Sequence, residues 1–510
     1  MTINRVFSGK VNVISNLASS FWTAATNIVF VPFYLKYIGV ESYGIIGIFS
    51  TLQAFIFLLD FGLSPTFNRE LARLSSNETN AQVMHDLKRT LELPNWAVGV
   101  VIAVFLSALS PLIARFWVRP DTLSVATVTQ ALIIISITIS LQFSMTFYAG
   151  GLMGLQRQLL LGVINIISVT FRSVGAIAVL AYWSASIQAF LAWQCLATLL
   201  QITLTALALR KSLPEAPLKG HFRKDLFSKI WRFAAGMTAV TFVSLILTQT
   251  DKVILSRMLS LEMFGFYTLA VLIGGTGIGT LVGSVTQAVY PRLSQLMLAN
   301  DEAELSKFYH RSCQIVSVFV FPAAMILFFF SFEILLIWTR NERIAQETHM
   351  LLSLVAVGTM LNSLMILPYF LQLAHGTTKI LLFISAIAII VLIPLIIVGV
   401  SFYGAVGGAL GWVVLNASYL LVAAPLMHKR VLSGGLKQWY IFDLLIPFTV
   451  SFTVVIAGKW ILWSDGVGSK KIAGIFSVSI ISLVLTGLST KAIREQIVNH
   501  SPPALLRFMR

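Results

Sequence analysis

The chain has 510 residues, 57% of them hydrophobic and 11% charged, with a mean hydropathy of +0.86, whereas soluble domains run at roughly 45–50% apolar and about 25% charged residues. So few charges cannot clothe an aqueous globular surface, which excludes a soluble enzyme or binding module. Apolar runs long enough to cross a hydrocarbon core of ~30 Å recur with short polar gaps, so the fold class is an all-α polytopic membrane protein.

Fourteen spans are expected, at roughly 11–35, 43–64, 91–113, 123–149, 159–181, 187–209, 233–256, 264–288, 313–336, 348–373, 380–401, 405–427, 441–463 and 470–490. The first follows Arg5 and Lys10 but is too long for a signal-peptide core and lacks a small-residue cleavage site, so it is expected to stay as a span. In lipid, polar side chains at helical spacing mark a packed seam or a cavity. Helix 1 carries Asn16, Ser20, Thr23, Asn27 and Tyr34; helix 2 carries Tyr43, Gly47, Ser50, Gln53, Asp60 and Ser64. Helix 5 sets Asn165, Ser168 and Arg172 on one face, helix 6 sets out Gln194, Thr198, Gln201 and Thr205, and helix 7 Thr241, Ser244, Thr248 and Asp251.

Single Ser and Thr residues in such stripes are usually satisfied between helices. An ionisable group in mid-span costs ~2.5–3.5 kcal/mol, so Asp60, Arg172, Asp251 and Lys252 each need a partner, water or a function. Lys252 adjoins Asp251, and neighbours on a helix point apart, which leaves Asp251 available to bind an ion or a proton. The glycine run of helix 8, with Gly275, Gly279 and Gly283 at steps of four, reads as a small-residue surface and not a nucleotide loop, because no strand precedes it. Gly404, Gly408 and Gly407, Gly411 repeat the pattern in helix 12, and Pro32, Pro322, Pro368 and Pro394 are expected to bend their spans.

The stretch 210–232 holds seven basic residues and two prolines and reads as a linker. On its two sides, Lys36-YIGVESYG-Ile45 matches Arg257-MLSLEMFG-Phe266 at an offset of 221, pairing Glu41 with Glu262 and Gly44 with Gly265; the same offset takes Tyr148 to Tyr369. A duplicated six-helix unit follows, and an even helix number makes the repeats parallel. The expected organisation is an N-lobe at 1–209 (helices 1–6), the basic linker 210–232, a C-lobe at 233–427 (helices 7–12), and an appended pair, helices 13 and 14, with a tail at 428–510.

The net charge of +16 follows the positive-inside rule. With a cytoplasmic N-terminus, inner segments hold 25 of the 36 Lys and Arg residues, outer loops hold eight (Lys36, Arg115, Arg119, Arg257, Arg340, Arg343, Lys470, Lys471), and Arg172, Lys252 and Lys459 lie within spans. Both termini are therefore expected in the cytoplasm. Cys195 and Cys313 are too few for a disulfide framework, and the seven scattered histidines offer no helical i,i+4 pair, so no metal site and no cofactor is expected.

Three segments, LKYIGVESYGIIGIFSTLQAFIFLLDFGLSPTFNRELAR, GLMGLQRQLLLGVINII and QTDKVILS, together resemble the Wzx-type O-antigen flippases, the polysaccharide-transporter branch of the multidrug/oligosaccharidyl-lipid/polysaccharide exporter superfamily. The resemblance covers helices 1–12, with helices 13 and 14 closer to the layout of lipid II flippases. It implies a bacterial inner-membrane protein, not an enzyme, that moves an undecaprenyl-pyrophosphate-linked oligosaccharide from the cytoplasmic to the periplasmic leaflet, with membrane lipids and the O-antigen polymerase and chain-length machinery as partners. On that reading Arg172, with Arg69 and Arg292 at a basic rim, holds the diphosphate. Asn27 and Asp60 face the sugar, Tyr148 and Tyr369 (and Trp22) stack on its rings or simply pack, and Asp251 couples transport to H+ or Na+. Lipid II flippases pair their helix 7 aspartate with Asn and Asp side chains on helix 11; here 380–401 contains neither, which favours a proton.

Two rivals fit less well. A multidrug exporter of the same superfamily would carry organic cations in an apolar cavity, against the basic residues here. An O-antigen polymerase or ligase would need a large outer loop for its chemistry, and the longest expected outer loops have about ten residues.

Overall fold

The computed structural model describes residues 2–57, 60, 62–75, 80–227, 245–246, 248–299, 301–376, 378–432, 434–462 and 468–500, and every regular element among them is a helix. Twelve of these helices are long and apolar enough to cross a membrane. The two expected spans outside that set are the first, whose helix starts with Arg5 and Lys10, and 233–256, of which 233–244 and 247 lie outside the described residues.

Two compact units divide the chain, Met1–Gly265 and Phe266–Arg510. The first contains α1 (Thr2–Val29), α2 (Val31–Phe57), α3 (Leu63–Leu74), α4 (Ala81–Leu112), α5 (Val125–Gly154), α6 (Gln158–Tyr182), α7 (Ile187–Ser212) and α8 (248–258). The chain leaves it within α9 (Leu261–Leu298). The second contains α10 (Glu302–Phe329), α11 (Ser331–Thr339), α12 (Glu342–Leu364), α13 (Ile366–His375), α14 (Thr378–Tyr403), α15 (Ala405–Ser418), α16 (Ala424–Val431), α17 (Leu436–Gln438), α18 (Ile446–Ile461), α19 (Ser469–Ser489) and α20 (Lys491–His500). Apolar side chains face outward, with Val101 and Val104 exposed on α4 and Ile390 72% exposed on α14, while Asn95, Ser144, Thr198 and Asp443 are buried. That inversion of the soluble pattern is what a hydrocarbon solvent demands.

The breaks follow from local chemistry. α2 is interrupted at Gly39 (φ 75°, ψ 171°), inside the expected gap between helices 1 and 2; only glycine enters this region without steric cost. Pro32 and Pro368 fall in the first turns of α2 and α13, where a missing N–H costs no hydrogen bond, while Pro322 and Pro394 lie inside α10 and α14. Five-residue or longer π-turns follow α4, α15 and α17 at Ile113–Trp117, Tyr419–Ala423 and Trp439–Leu445.

Two glycines permit a reciprocal contact in the first unit. A side chain at Gly44 would strike the carbonyl of Leu261, and one at Gly265 would strike the carbonyl of Val40. Residues 40 and 44 map onto 261 and 265 at the offset of 221, so each of the two matching segments presses its glycine on the carbonyl at the corresponding position of the other. Glu41 anchors one copy: its buried carboxylate accepts from the backbone N–H groups of Asp121 (2.7 Å), Thr122 (3.0 Å) and Leu123 (3.2 Å) and from the Thr122 hydroxyl.

The basic stretch after α7 is laced to the start of α4 over its described part, 210–227. Asp86 accepts from the His221 N–H (2.9 Å), Gln82 from the Leu218 N–H (3.1 Å), and His85 Nε2 meets the Pro214 carbonyl at 2.9 Å. At the surface beyond, Arg223 and Asp225 pair at 2.7 Å.

Candidate substrate site

The face of α6 that carries Asn165, Ser168 and Arg172 turns toward α7. Arg172 Nη2 donates to Gln201 Oε1 at 2.5 Å, and Gln201 Nε2 donates in turn to Asn165 Oδ1 at 3.0 Å. Trp193 Nε1 bonds the Arg172 carbonyl at 3.0 Å, and the Tyr34 hydroxyl reaches the carbonyl of Ser173 at 3.4 Å, which fixes the backbone beneath the guanidinium. No carboxylate among the described residues pairs with Arg172; its anchor is a neutral amide. Arg172 Nε and Ser168 Oγ are buried with no hydrogen-bond partner among the described residues, so one helix face holds a half-buried cation with an unmet donor and a hydroxyl with unmet capacity. Unmet buried groups cost roughly 1–3 kcal/mol apiece, more when charged.

α1 packs along α6, and Trp22 Nε1 donates to Thr170 Oγ1 at 2.9 Å. Asn16, Ser20 and Asn27 on α1 are exposed, as is Ser50 on α2. Gln53 and Gln142 join α2 to α5 through an amide–amide hydrogen bond.

The other expected site residues occupy different settings. Asp60 caps α3, accepting from the N–H (3.1 Å) and hydroxyl (2.7 Å) of Ser64, and does not pair with Arg172. Arg69 is exposed on α3 and pairs with Glu70 at 2.8 Å, which also holds Arg73 at 2.7 Å. Tyr148 is buried at the end of α5; its hydroxyl donates to Glu92 (2.7 Å) and accepts from Trp96 Nε1 (2.9 Å), and its ring meets Phe147 edge-on, which itself stacks on Phe67 at 4.4 Å. Asp251 is buried on α8, where Lys252 turns away to Gln249 (3.2 Å) and Ser256 accepts from Trp117 Nε1 (3.0 Å); Thr241 and Ser244 lie outside the described residues. In the second unit Arg292 is exposed, and Tyr369 is half-buried edge-on to Phe370, which packs on Tyr290. Arg172 and Asn165 are thus brought together, while Asp60 and Tyr148 are committed to neighbours of their own.

Sequence reasoning missed two buried networks in the second unit. His310 Nδ1 lies 2.5 Å from Asp443 Oδ2; Gln314 Nε2 donates to Asp443 Oδ1 (2.8 Å) and accepts from the Ala492 N–H (2.9 Å), tying α20 to α10. Ser317 donates to the Asp443 carbonyl at 2.6 Å. Nearby, His428 Nδ1 faces the Ala424 carbonyl (2.9 Å), which can only accept, so Nδ1 carries the proton and Nε2 receives the Tyr309 hydroxyl (3.4 Å). The second network joins Glu333 to Lys459 (2.5 Å) and Lys471 (3.4 Å). Its one sequence signal was Lys459, a charge inside a span that required a partner.

Comparison with known proteins agrees with this architecture. Residues 10–297, more than half the chain, match the family described as polysaccharide biosynthesis protein. A Shigella flexneri protein named "Putative O-antigen transporter" is 22% identical over 420 residues, 80% of this chain and 97% of that one. The lipopolysaccharide biosynthesis protein WzxC of Escherichia coli (strain K12) is 23% identical over 241 residues, 46% of this chain and 47% of that one. Among solved structures, the lipid II flippase MurJ in an inward closed conformation has a TM-score of 0.70 at 16% identity, covering 93% of this chain and 97% of that one. An inward-facing multidrug resistance MATE family transporter of the MOP superfamily has a TM-score of 0.64 at 15% identity, covering 84% and 96%. At such identities the structural likeness carries the fold alone. A match over more than half its length, on a multi-pass helical fold shared with flippases and exporters, makes the chain a member of the polysaccharide biosynthesis protein family.

Proposed function

We propose that the chain is a flippase that moves an undecaprenyl-diphosphate-linked oligosaccharide from the cytoplasmic to the periplasmic leaflet of a bacterial inner membrane by alternating access. The observation that carries this reading is the half-buried Arg172 guanidinium, hydrogen-bonded to Gln201, with a buried, unsatisfied Nε on the helix face that also carries Ser168. A diphosphate supplies acceptor oxygens and negative charge together, and a guanidinium fork matches that geometry. A site for organic cations would instead be repelled by it. The names of the O-antigen relatives support the same substrate class.

In this mechanism Arg69, exposed on the first unit, gathers the diphosphate while Asn27 and the α1 stripe meet sugar hydroxyls; on the second unit the exposed Arg292 and the half-buried Tyr369 are proposed for phosphate and sugar-ring contacts of their own. Asp60 and Tyr148 serve as positioning groups, since one caps α3 and the other is tied to Glu92. The O-antigen polymerase and chain-length machinery take up the product outside. In proteoliposomes carrying a labelled undecaprenyl-diphosphate oligosaccharide, the purified chain is expected to expose to an added lectin the sugar that empty vesicles keep sheltered. Equal exposure with and without protein defeats the reading.

Asp251 is the proposed coupling group, binding a proton that the membrane gradient drives. Asp251→Asn is expected to abolish gradient-dependent flipping while retaining substrate binding; an Asn variant that restores surface O-antigen to a flippase-null strain at normal expression rules the role out.

Orientation follows the Lys and Arg distribution, with both termini and the 210–232 stretch cytoplasmic. Gly220 is a poor reporter, because a side chain there meets the His85 carbonyl; Leu218 is 64% exposed and suits a cysteine label. In a background lacking Cys195 and Cys313, Leu218→Cys is expected to resist an impermeant maleimide in outer-membrane-permeabilised cells and to react after lysis. Labelling before lysis reverses the topology.

A further inference from the structure

Five helices of the second unit, α10, α11, α12, α18 and α19, line an open cavity of about 420 Å³. Glu333 sits in the first turn of α11, Lys459 in the last turn of α18 and Lys471 in the first turn of α19. Phe328, Phe332 and His349 form its mouth, with Phe328 and His349 exposed. From these residues we infer that the cavity is a binding site for the phosphodiester headgroup of a membrane phospholipid bearing a hydroxyl or ammonium donor.

Three features select that chemistry. First, the charged lining presents two ammonium groups and one carboxylate, all on side chains that are mostly buried (Lys459 22%, Lys471 9% and Glu333 7% exposed). A single phosphodiester charge complements that lining, and basic pockets between membrane helices are recurrent lipid sites. Second, both lysines bond the same oxygen, Glu333 Oε1, while Oε2 is buried with no hydrogen-bond partner among the described residues. A phosphate alone would leave that acceptor unmet, whereas the glycerol hydroxyl of phosphatidylglycerol or the ammonium of phosphatidylethanolamine supplies a donor. Third, the lysines lie at the ends of apolar spans, the level at which headgroups stand, and the exposed phenylalanine edge gives acyl chains an apolar wall. The Lys459 ammonium also lies 4.9 Å from the centre of the Phe330 ring, which holds it in the cavity.

The inference does not depend on the flippase reading, because it concerns bulk lipid. The same phosphate chemistry could come from a polyprenyl diphosphate, so the test separates the two sources. The full-length protein, delipidated in detergent, is titrated with phosphatidylglycerol, phosphatidylethanolamine, phosphatidylcholine and undecaprenyl diphosphate, and both Tm and lipid retention in native mass spectrometry are read. Phosphatidylglycerol and phosphatidylethanolamine are expected to stabilise and co-purify in preference to phosphatidylcholine, whose quaternary ammonium donates nothing. The triple variant Glu333→Gln/Lys459→Gln/Lys471→Gln, which leaves no charge of the trio buried, is expected to weaken phosphatidylglycerol binding by about tenfold. Equal retention of phosphatidylcholine by the unaltered protein overturns the proposal even if the triple variant does not fold. So does an unchanged titration in a folded triple variant, or stabilisation by undecaprenyl diphosphate alone.

Discussion

Arg172→Ala is expected to abolish surface O-antigen while the protein still reaches the membrane in normal amount. Hydrogen bonds to charged groups contribute ~1.5–3 kcal/mol each, so losing a two-pronged contact to a diphosphate costs about a hundredfold or more in transport at 1.4 kcal/mol per decade. Arg172→Lys should recover part of the activity, since a point charge keeps the attraction and loses the fork. The decisive variant is Gln201→Glu. Its carboxylate would stand where Oε1 now meets Nη2 at 2.5 Å, giving the guanidinium a permanent internal anion. The protein should then be at least as stable and nearly inactive. Normal transport by Gln201→Glu, measured as surface O-antigen in a flippase-null strain, would show that Arg172 holds no substrate anion.

The largest stability effect is expected at Asp443. Ordinary polar pairs between membrane helices average ~0.6 kcal/mol, but leaving a buried hydrogen-bonding group without its partner costs ~1–3 kcal/mol apiece. Asp443 is fully buried and joins His310 and Gln314 of α10. Asp443→Ala would strand both of these polar groups, and Gln314 would lose its restraint while holding the Ala492 N–H of α20. The expected result is a Tm lowered by many degrees together with faster tryptic cleavage at Lys491 and Arg494; Asp443→Asn, which still accepts from Gln314, should lose much less. An unchanged Tm in Asp443→Ala would remove the network from any account of how helices 13 and 14 are held.

Hydropathy made the spans legible because each reports on solvent through its own composition: twelve expected segments reappear as long apolar helices. The gap at Gly39 was legible for the same reason, as a polar interruption. Half of the candidate site could be read as well. Asn165, Ser168 and Arg172 share a face through helical spacing, and Gln201 belonged to a polar stripe, yet nothing local said that the two stripes face each other. Glu41 reaches Asp121 and Thr122, His310 reaches Asp443, and Glu333 reaches Lys459. These pairings join residues 80 to 133 positions apart, so the composition around either partner carries no trace of the other. Asp60 illustrates the converse: a charge read as mid-span and in need of a partner finds one four residues along its own sequence, in the N–H and hydroxyl of Ser64.

The reciprocal seating of Gly44 and Gly265 has a bearing on how this chain can change over time. Each glycine is met first by a backbone carbonyl of the other segment, with a side-chain atom of Leu261 or Val40 behind it at 2.9 Å, so trimming the side chain at Leu261 or Val40 cannot by itself make room for a Cβ. A mutation at either glycine meets the same obstacle, and repairing it requires the partner loop to move as a whole. Here each segment is the mould for the other, and the two must stay alike in shape while their remaining side chains, Tyr43 and Phe264 among them, are free to differ.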